Sequence, residues 1–422
     1  MTYNWKKNTV IFLSSQAISL FGSSLVQYAI TWYIVLQMQS GIYTTLAIVF
    51  GILPMFFLTP FTGVWADRYN RKRLIVLADG GIATCTLIIA ILFITGNNNI
   101  LLLYGALFVR AVGGAVQTPC VGAMLPDMVP EEHLTRVNGI NGSLQSLITL
   151  VSPMLSGALL GLASLEIVFF VDVATAAIAI FIMLSLFRLP KSRVQKTPEE
   201  IASQNYIKDL KLGLAYIRKN PYLLNFFVLC IFFFFMFAPV AFLTPLQVAR
   251  NYGDDVWRLT AIEVAWSVGM MIGGLAIAAW GGFKNRVYTM ATMGILMACF
   301  TIILGIPIAF WVYVGVMAVF GLTMPMFSTP AMVLLQERVD PAYMGRIFGV
   351  MTMINTGAMP MGILIFGPLA DVVPIEWLLL GTGAVLMLLS LVMLKNRPLV
   401  AVGLKKSAPP AELQPSPPPE SP

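Results

Sequence analysis

The sequence predicts an all-α membrane protein with twelve transmembrane helices in two pseudo-symmetric six-helix halves. Hydrophobic residues make up 58% of its 422 residues and charged residues only 11%, whereas soluble domains carry about 25% charged residues. Apolar runs of about 20 residues, the length that crosses a bilayer, recur along the whole chain. Short matches also repeat between the two parts of the sequence, as two parallel halves of one membrane fold would produce.

The first half, residues 1–187, contains six apolar runs separated by short polar turns. A charged turn is too costly to place in hydrocarbon, so each one marks a membrane surface. The predicted spans are residues 10–36, 44–62, 74–95, 100–121, 139–161 and 167–187. In the second half, residues 221–397, the predicted spans are residues 222–245, 259–280, 287–304, 308–334, 346–369 and 377–394.

A polar linker, residues 188–220, joins the two halves. Its Thr197-Pro198-Glu199-Glu200 stretch is typical of a helix start, and an apolar stripe follows at helical spacing. This pattern indicates either an amphipathic helix on the membrane surface or a simple tether. Residues 398–422 are rich in Pro and Ser, which predicts a disordered tail. The stripe consists of Ile207, Leu210, Leu214 and Ile217.

The distribution of charge predicts the orientation. All of the 26 Lys and Arg residues except Arg110, Arg250 and Arg258 fall in segments that this topology puts in the cytoplasm. Basic residues favour the cytoplasmic side of a membrane, so both termini and the linker are expected there. The same distribution argues against nucleic acid as a partner of this chain, despite its net charge of +7.

The turn between the second and third spans carries the most distinctive motif of the sequence. Asp67 and Arg71 lie one helical turn apart in it, which predicts a cytoplasmic latch, with Asp127 as a second partner for Arg71. The alternative is that the basic residues only set the topology, which would need no acid. The motif reads Gly63-Val64-Trp65-Ala66-Asp67-Arg68-Tyr69-Asn70-Arg71-Lys72-Arg73, and the residues predicted to act in gating are Gly63, Asp67, Arg68, Arg71, Asp127, Arg136 and Arg346.

The same turn takes part in the internal repeat. Residues 65–71 align with residues 280–286. Gly282 and Phe283 stand where the first copy has its Asp-Arg pair, so the latch is predicted to be asymmetric. Two parallel halves place a substrate site between them near mid-membrane, with alternating access by rocking of one half against the other.

Apart from Arg346 at the start of its span, four charges lie inside predicted spans, where a charge is costly and marks a functional site by default. Arg110 lies in the fourth span, and the alternative for it is a structural tie to backbone carbonyls. The predicted proton-coupling carboxylates are, in order, Glu263, Asp172 and Asp79, because a carboxyl group in a low dielectric can exchange protons near neutral pH. A helix-tying hydrogen bond is the alternative for each.

The candidate substrate contacts are polar residues of the first span and large side chains of the seventh. Flexible Met and large aromatic side chains suit varied hydrophobic ligands, although helix packing or lipid contact is the alternative for each position. The candidates are Gln16, Ser19, Ser23, Gln27, Phe234 and Met236.

The twelve-span architecture and the motif of residues 63–73 resemble those of the major facilitator superfamily. This resemblance extends over nearly the whole length of the chain. Within the superfamily, the chain resembles the Mef-type macrolide exporters and related twelve-span drug and siderophore exporters. The resemblance implies proton-driven efflux of an amphiphilic compound across a bacterial cytoplasmic membrane, and a proton-transfer role for Arg110. The other segments that carry this resemblance are Gln16-Ala17-Ile18-Ser19-Leu20, Val129-Pro130-Glu131-Glu132-His133-Leu134-Thr135, Ser143-Leu144-Gln145-Ser146, Val151-Ser152-Pro153 and Gly269-Met270-Met271-Ile272-Gly273-Gly274.

The predicted function is therefore proton-driven export of lipophilic or amphiphilic compounds, macrolide-like drugs first. The alternatives are export of a siderophore or lysolipid, and a non-transporting receptor or scaffold, which would have no need of buried charges. No catalytic triad, metal cluster or phosphate loop is visible in the sequence, so neither an enzyme nor a cofactor is expected. The expected partners are the lipophilic substrate, protons and the bilayer, with the protein as a monomer.

Overall fold

The structure, a computed structural model, describes residues 4–187 and 206–404, except for the side chains of Pro60, Val64, Asp67 and residues 206–209. Twelve helical segments in these residues are long and apolar enough to cross a membrane. They confirm the predicted all-α fold and its number of spans, six in each half.

In the first half the helices extend past the apolar runs to polar capping residues. Asn70 accepts a hydrogen bond from the backbone N–H of Arg73, and Asn99 accepts one from Leu101. Such caps satisfy N–H groups that a helix start leaves without a partner. The helices are α1 (Trp5–Met38), α2 (Gly41–Arg68), α3 (Arg71–Ile94), α4 (Ile100–Met128), α5 (Glu131–Leu162) and α6 (Leu165–Ser185).

The second half repeats the pattern, with a short helix before its first span and two further short helices. Its elements are α7 (Tyr206–Lys219), α8 (Pro221–Phe242), α9 (Thr244–Tyr252), α10 (Val256–Trp280), α11 (Arg286–Leu304), α12 (Phe310–Arg338), α13 (Met344–Leu369), α14 (Ile375–Lys395) and α15 (Arg397–Val402), with a single 3₁₀ turn at Pro341–Tyr343.

The bundle has two ends, which we name by the chain ends. On the terminal face, Trp5 stacks on His133 with ring centroids 4.9 Å apart, and Leu404 pairs with Asn285. This face therefore carries the turns between α2 and α3, α4 and α5, α10 and α11, and α12 and α13. The opposite face carries the turns that follow α1, α3, α5, α9, α11 and α13.

The two halves meet where α2 packs on α13 and α5 packs on α10. Glycines permit this close approach. A Cβ atom on Gly41 would lie 1.9 Å from the carbonyl oxygen of Gly367, and one on Gly157 would lie 1.8 Å from the Oγ1 atom of Thr260. Both contacts lie toward the opposite face, so the halves are packed tightly there.

The linker helix α7 docks on the second half. Tyr216 stacks on Tyr343 with ring centroids 4.3 Å apart, Gly213 lies against Arg346, and Ile217 is buried. Leu214, predicted to belong to the apolar stripe, is instead exposed, because the packed face turns toward α13. The predicted helix start at residues 197–200 lies outside the described residues.

Part of the tail predicted to be disordered is helical. Asn396 caps α15 by accepting a hydrogen bond from the backbone N–H of Leu399, and the Leu399 side chain is buried. Residues 398–402 therefore belong to α15, whereas the sequence predicted disorder from residue 398. Residues 405–422 lie outside the described residues.

Candidate functional site

The terminal face carries one Arg–carboxylate pair in each half. In the first half, Arg71 binds the carboxylate of Asp127 and donates to the carbonyl oxygens of Ala66 and Ala123 at 2.8 and 2.9 Å. Arg71 thus ties the α2–α3 turn to α4. Asp127 is the second partner that the sequence suggested, whereas the side chain of Asp67 lies outside the described residues.

In the second half, Arg286 binds Glu337 through two nitrogens, with the Nε–Oε2 distance at 2.9 Å. Residue 286 is the repeat partner of residue 71. The second half therefore has its own Arg–carboxylate pair, although Gly282 and Phe283 stand where the first half has its Asp-Arg pair. The sequence comparison looked for a second Asp-Arg pair within the turn, but the acid comes from α12.

The other residues predicted to act in gating do not join these pairs in the described contacts. Arg68 and Arg136 are exposed. Arg346 lies over the ring of Tyr343, 5.5 Å from its centroid. Gly63 is half-buried, and a Cβ atom there would meet nothing within 4 Å, so no close contact requires a glycine at this position.

Arg110 and Asp172 form a buried ion pair inside the first half, with Nη1 and Oδ2 2.7 Å apart. The other guanidinium nitrogen donates to the carbonyl oxygen of Ser23 at 2.6 Å, and Thr86 donates to Asp172 at 3.1 Å. Both charged side chains are at most 5% exposed. An ion pair buried to this extent is maintained only when its remaining hydrogen-bonding groups are satisfied, as they are here.

Asp79 is buried in a second polar network, in which the described residues supply no basic hydrogen-bond donor to its carboxylate. Ser19 donates to its carboxylate at 2.7 Å and Gln117 at 3.1 Å. Gln117 also donates to Gln16, whose own Nε2 atom is buried without a hydrogen-bond partner among the described residues. Asp79 is therefore a carboxylate whose charge only neutral donors compensate.

This network includes two of the residues predicted to contact the substrate. Gln16 and Ser19 are buried against α3 and α4 because their helix face turns into the first half. Phe234 is likewise buried in the core of the second half, beside Phe233. The remaining candidates are partly exposed, namely Ser23, Gln27 and Met236.

Glu263 lies on the second turn of α10, at the seam between the halves. It is partly exposed, and it interacts electrostatically with Tyr28 of α1. Among the described residues it has neither a hydrogen bond nor an ion pair. It differs in this from Asp172, which is fully engaged by Arg110.

A clamp on the opposite face, absent from the sequence prediction, joins the two halves. The carboxylate of Asp371, after α13, accepts hydrogen bonds from Ser40 Oγ at 2.7 Å and from the backbone N–H groups of Gly41 and Ile42 at 2.6 and 3.0 Å. It thereby caps α2 of the other half, where a negative charge is favourable. We call this set of contacts, with Arg250, the opposite-face clamp.

Arg250 completes the clamp from α9. It binds Asp371 at 2.8 Å and donates to the carbonyl oxygens of Gln39 and Ala370 at 2.7 and 2.6 Å. Burial raises the pKa of the Asp371 carboxyl, but its hydrogen bonds outweigh that effect, so the pKa lies below its ordinary value. The clamp therefore holds Asp371 in its charged form.

Residues 4–187 and 206–404 contain no candidate metal-binding site. No three His, Cys, Asp or Glu side chains come together there as a metal site would require.

Comparison with known proteins identifies the class of protein that this fold defines. A family model described as Major Facilitator Superfamily matches residues 12–363, and the chain belongs to this superfamily of membrane transporters. Solved structures share the fold. A mutant of the peptide transporter POT has a TM-score of 0.73 at 12% identity, covering 96% of this chain and all of that one. The nucleoside transporter NupG has a TM-score of 0.66 at 15% identity, covering 93% and 99%.

The similar curated proteins include two macrolide efflux proteins and a staphyloferrin A transporter. Macrolide efflux protein A of Streptococcus pyogenes is 29% identical over 393 residues, covering 92% of this chain and 96% of the relative. The protein of the same name from Enterococcus faecalis is 30% identical over 317 residues, covering 74% and 96%. A staphyloferrin A transporter of Staphylococcus aureus is 23% identical over 195 residues, covering 46% and 48%.

Proposed function

We propose that this transporter exports macrolide-like and other lipophilic or amphiphilic compounds, driven by protons. The similarity to macrolide efflux proteins over almost the full length of both chains supports the substrate class. Glu263 carries the proton part of the proposal, because it is a carboxylate at the seam of the two halves without a basic partner among the described residues. A group in that position can gain and lose a proton as the halves move.

Alternating access would use the contacts at the two faces differently. The Arg71–Asp127 and Arg286–Glu337 pairs each lie within one half and would keep it rigid while the halves rock. The opposite-face clamp joins the halves and would have to break when that face opens. The excess of basic residues on the terminal face supports a cytoplasmic position for it in a bacterial inner membrane.

Asp79 is a second candidate for proton binding. Neutral donors surround it, so a neutral carboxyl group can take the place of the carboxylate without leaving a basic group unpaired. Asp172, by contrast, would leave Arg110 buried without its counter-ion on protonation, which is costly. We therefore assign the Arg110–Asp172 pair a positioning role and place proton exchange at Glu263, then at Asp79.

The experiment is macrolide transport in proteoliposomes with an imposed pH gradient. Glu263→Gln should abolish accumulation against a substrate gradient while sparing downhill exchange of the same compound. Glu131→Gln removes an equal charge from an exposed position on the terminal face and serves as the matched control. Gradient-driven transport that survives both Glu263→Gln and Asp79→Asn would contradict the carboxylate mechanism.

A siderophore is the second candidate substrate, and the similarity to a staphyloferrin A transporter over about half of each chain favours it. Growth of a host that lacks its own efflux pumps, with and without this protein, separates the two. Raised resistance to macrolides supports drug export. Raised siderophore secretion without macrolide resistance would replace drug export with siderophore export as the function. If the protein raised neither macrolide resistance nor siderophore secretion, the receptor or scaffold alternative would be favoured.

A further inference from the structure

The seam between α5 and α10 opens into a crevice of about 1060 Å³. Its walls are apolar and mostly small, since α5 presents Gly157, Ala158 and Gly161 to Ala261 and Val264 of α10. Large residues at its edge are exposed, Leu162 by 90% and Trp257 by 47%, so the crevice is open to the surroundings of the bundle. Its volume reaches the upper end of the range for drug-sized ligands.

A smaller cavity of about 360 Å³ adjoins the crevice toward the opposite face. The two share Leu160, Asp254 and Val256. The smaller cavity has a mixed polar and apolar lining, to which Glu166, from the first turn of α6, and Asp254 both contribute. An apolar chamber therefore leads directly into an acidic one, and we call the two together the seam site.

The charged side chains that line the seam site are all acidic. Three carboxylates line it and no Lys or Arg side chain does. Asp255 is paired with Arg258 at 3.2 Å, whereas neither Glu166 nor Asp254 has an ion pair among the described residues. Two carboxylates without counter-ions next to a large apolar surface are complementary to a molecule with an apolar body and a positive charge.

We propose that the seam site binds lipophilic cations, with the apolar body in the crevice and the ammonium group between Glu166 and Asp254. An ordinary lipid-facing groove would lack the acidic end. The groove between α3 and α4 is such a case: it has a volume of about 770 Å³, and neither an acidic nor a basic side chain lines it. The proposal deepens the proposed export function by adding a second, peripheral site for its substrates.

Glycine substitutions can test the crevice without disturbing the fold. A Cβ atom on Gly161 would meet nothing within 4 Å, so Gly161→Leu would place its side chain in the open space of the crevice. Gly105 is equally unobstructed and lines the α3–α4 groove. Gly105→Leu is therefore the matched control, with the same chemical change in a groove without carboxylates.

The experiment uses the full-length protein in phosphatidylcholine nanodiscs and two benzophenone photoprobes, one with a quaternary ammonium group and one with a neutral amide. Mass spectrometry of the labelled protein should find the cationic probe on residues 154–162 and 254–268. Gly161→Leu should prevent this labelling and Gly105→Leu should not. The double variant Glu166→Gln with Asp254→Asn should weaken binding of the cationic probe roughly five- to tenfold, as expected for two partly exposed charges, and leave the neutral probe unchanged.

Three outcomes would overturn the proposal. Equal labelling of the crevice by both probes would make it an ordinary lipid contact surface, and so would labelling of the α3–α4 groove to the same extent. Binding that neither the leucine nor the double variant changes would place the probe elsewhere. Because binding is measured without a proton gradient, its failure and a failure of proton-driven export are separate results.

Discussion

Arg286, which the internal repeat relates to Arg71, binds Glu337 on the terminal face as Arg71 binds Asp127. In each half, an arginine from the start of a helix reaches an acid near the end of the helix that follows. The two pairs differ in the length of the acid, Glu in place of Asp. The repeat is therefore preserved in the contact, although the motif around it is not.

We predict that the second pair is as important to its half as the first. Arg286→Ala should destabilise the protein by about 1–3 kcal/mol, between the values for exposed and for buried ion pairs, because both side chains are largely buried. Arg71→Ala should have an effect of similar size. The measurement is thermal unfolding in detergent.

A double-mutant cycle serves as the control for this prediction. If the pair acts as a unit, Arg286→Ala combined with Glu337→Ala should cost less than the sum of the two single variants. Additive losses would mean that each residue acts through other contacts.

The sequence was sufficient to predict the number of spans, because that number depends on local patterns of hydrophobicity and charge. It was insufficient for the clamp, since Asp371 and Gly41 are 330 residues apart. A contact over that distance depends on how the halves pack, which no local pattern records. Arg286 and Glu337 are 51 residues apart and illustrate the same difficulty on a shorter scale.

The first span shows a second limit. Gln16, Ser19 and Ser23 share a helix face, as their spacing indicates, but spacing alone does not say what that face contacts. The structure turns Gln16 and Ser19 toward Asp79 and Gln117, where hydrogen bonds offset the cost of burying them. Polar residues in a span are therefore equally compatible with a cavity and with a buried network.

A further prediction concerns the buried Arg110–Asp172 pair. Arg110→Leu alone should destabilise the protein by about 3–5 kcal/mol, because it leaves Asp172 buried without its counter-ion. Combining it with Asp172→Leu should recover most of that stability, yet leave transport impaired if the pair positions the helices for coupling. Full transport in the stable double variant would reduce the pair to a packing role.

Another prediction concerns orientation in the membrane. With the native cysteines replaced, a cysteine in place of the exposed Tyr69, on the terminal face, should be protected from an impermeant thiol reagent in intact cells. A cysteine in place of the exposed Asn98, on the opposite face, should react, because the basic residues concentrate on the terminal face. The reverse pattern would contradict the proposed topology.

The last prediction concerns the opposite-face clamp. Its hydrogen bonds lower the pKa of Asp371, so the clamp favours the charged carboxylate. A group with a lowered pKa contributes stability at neutral pH, and that contribution is lost as the pH falls through the lowered value. Nitroxide labels at Tyr43 and Val372 should therefore move apart as the pH is lowered from about 7 to about 3. Asp371→Asn should already separate them at neutral pH and remove the pH dependence, because it breaks the bond to Arg250 and weakens the cap on α2.

Asp340→Asn, which changes a helix-start acid on the terminal face, is the matched control and should leave the distance unchanged. A label distance in Asp371→Asn equal to that of the unsubstituted protein at both pH values would mean that Gly41, Gly367 and the surrounding packing close this face without the clamp.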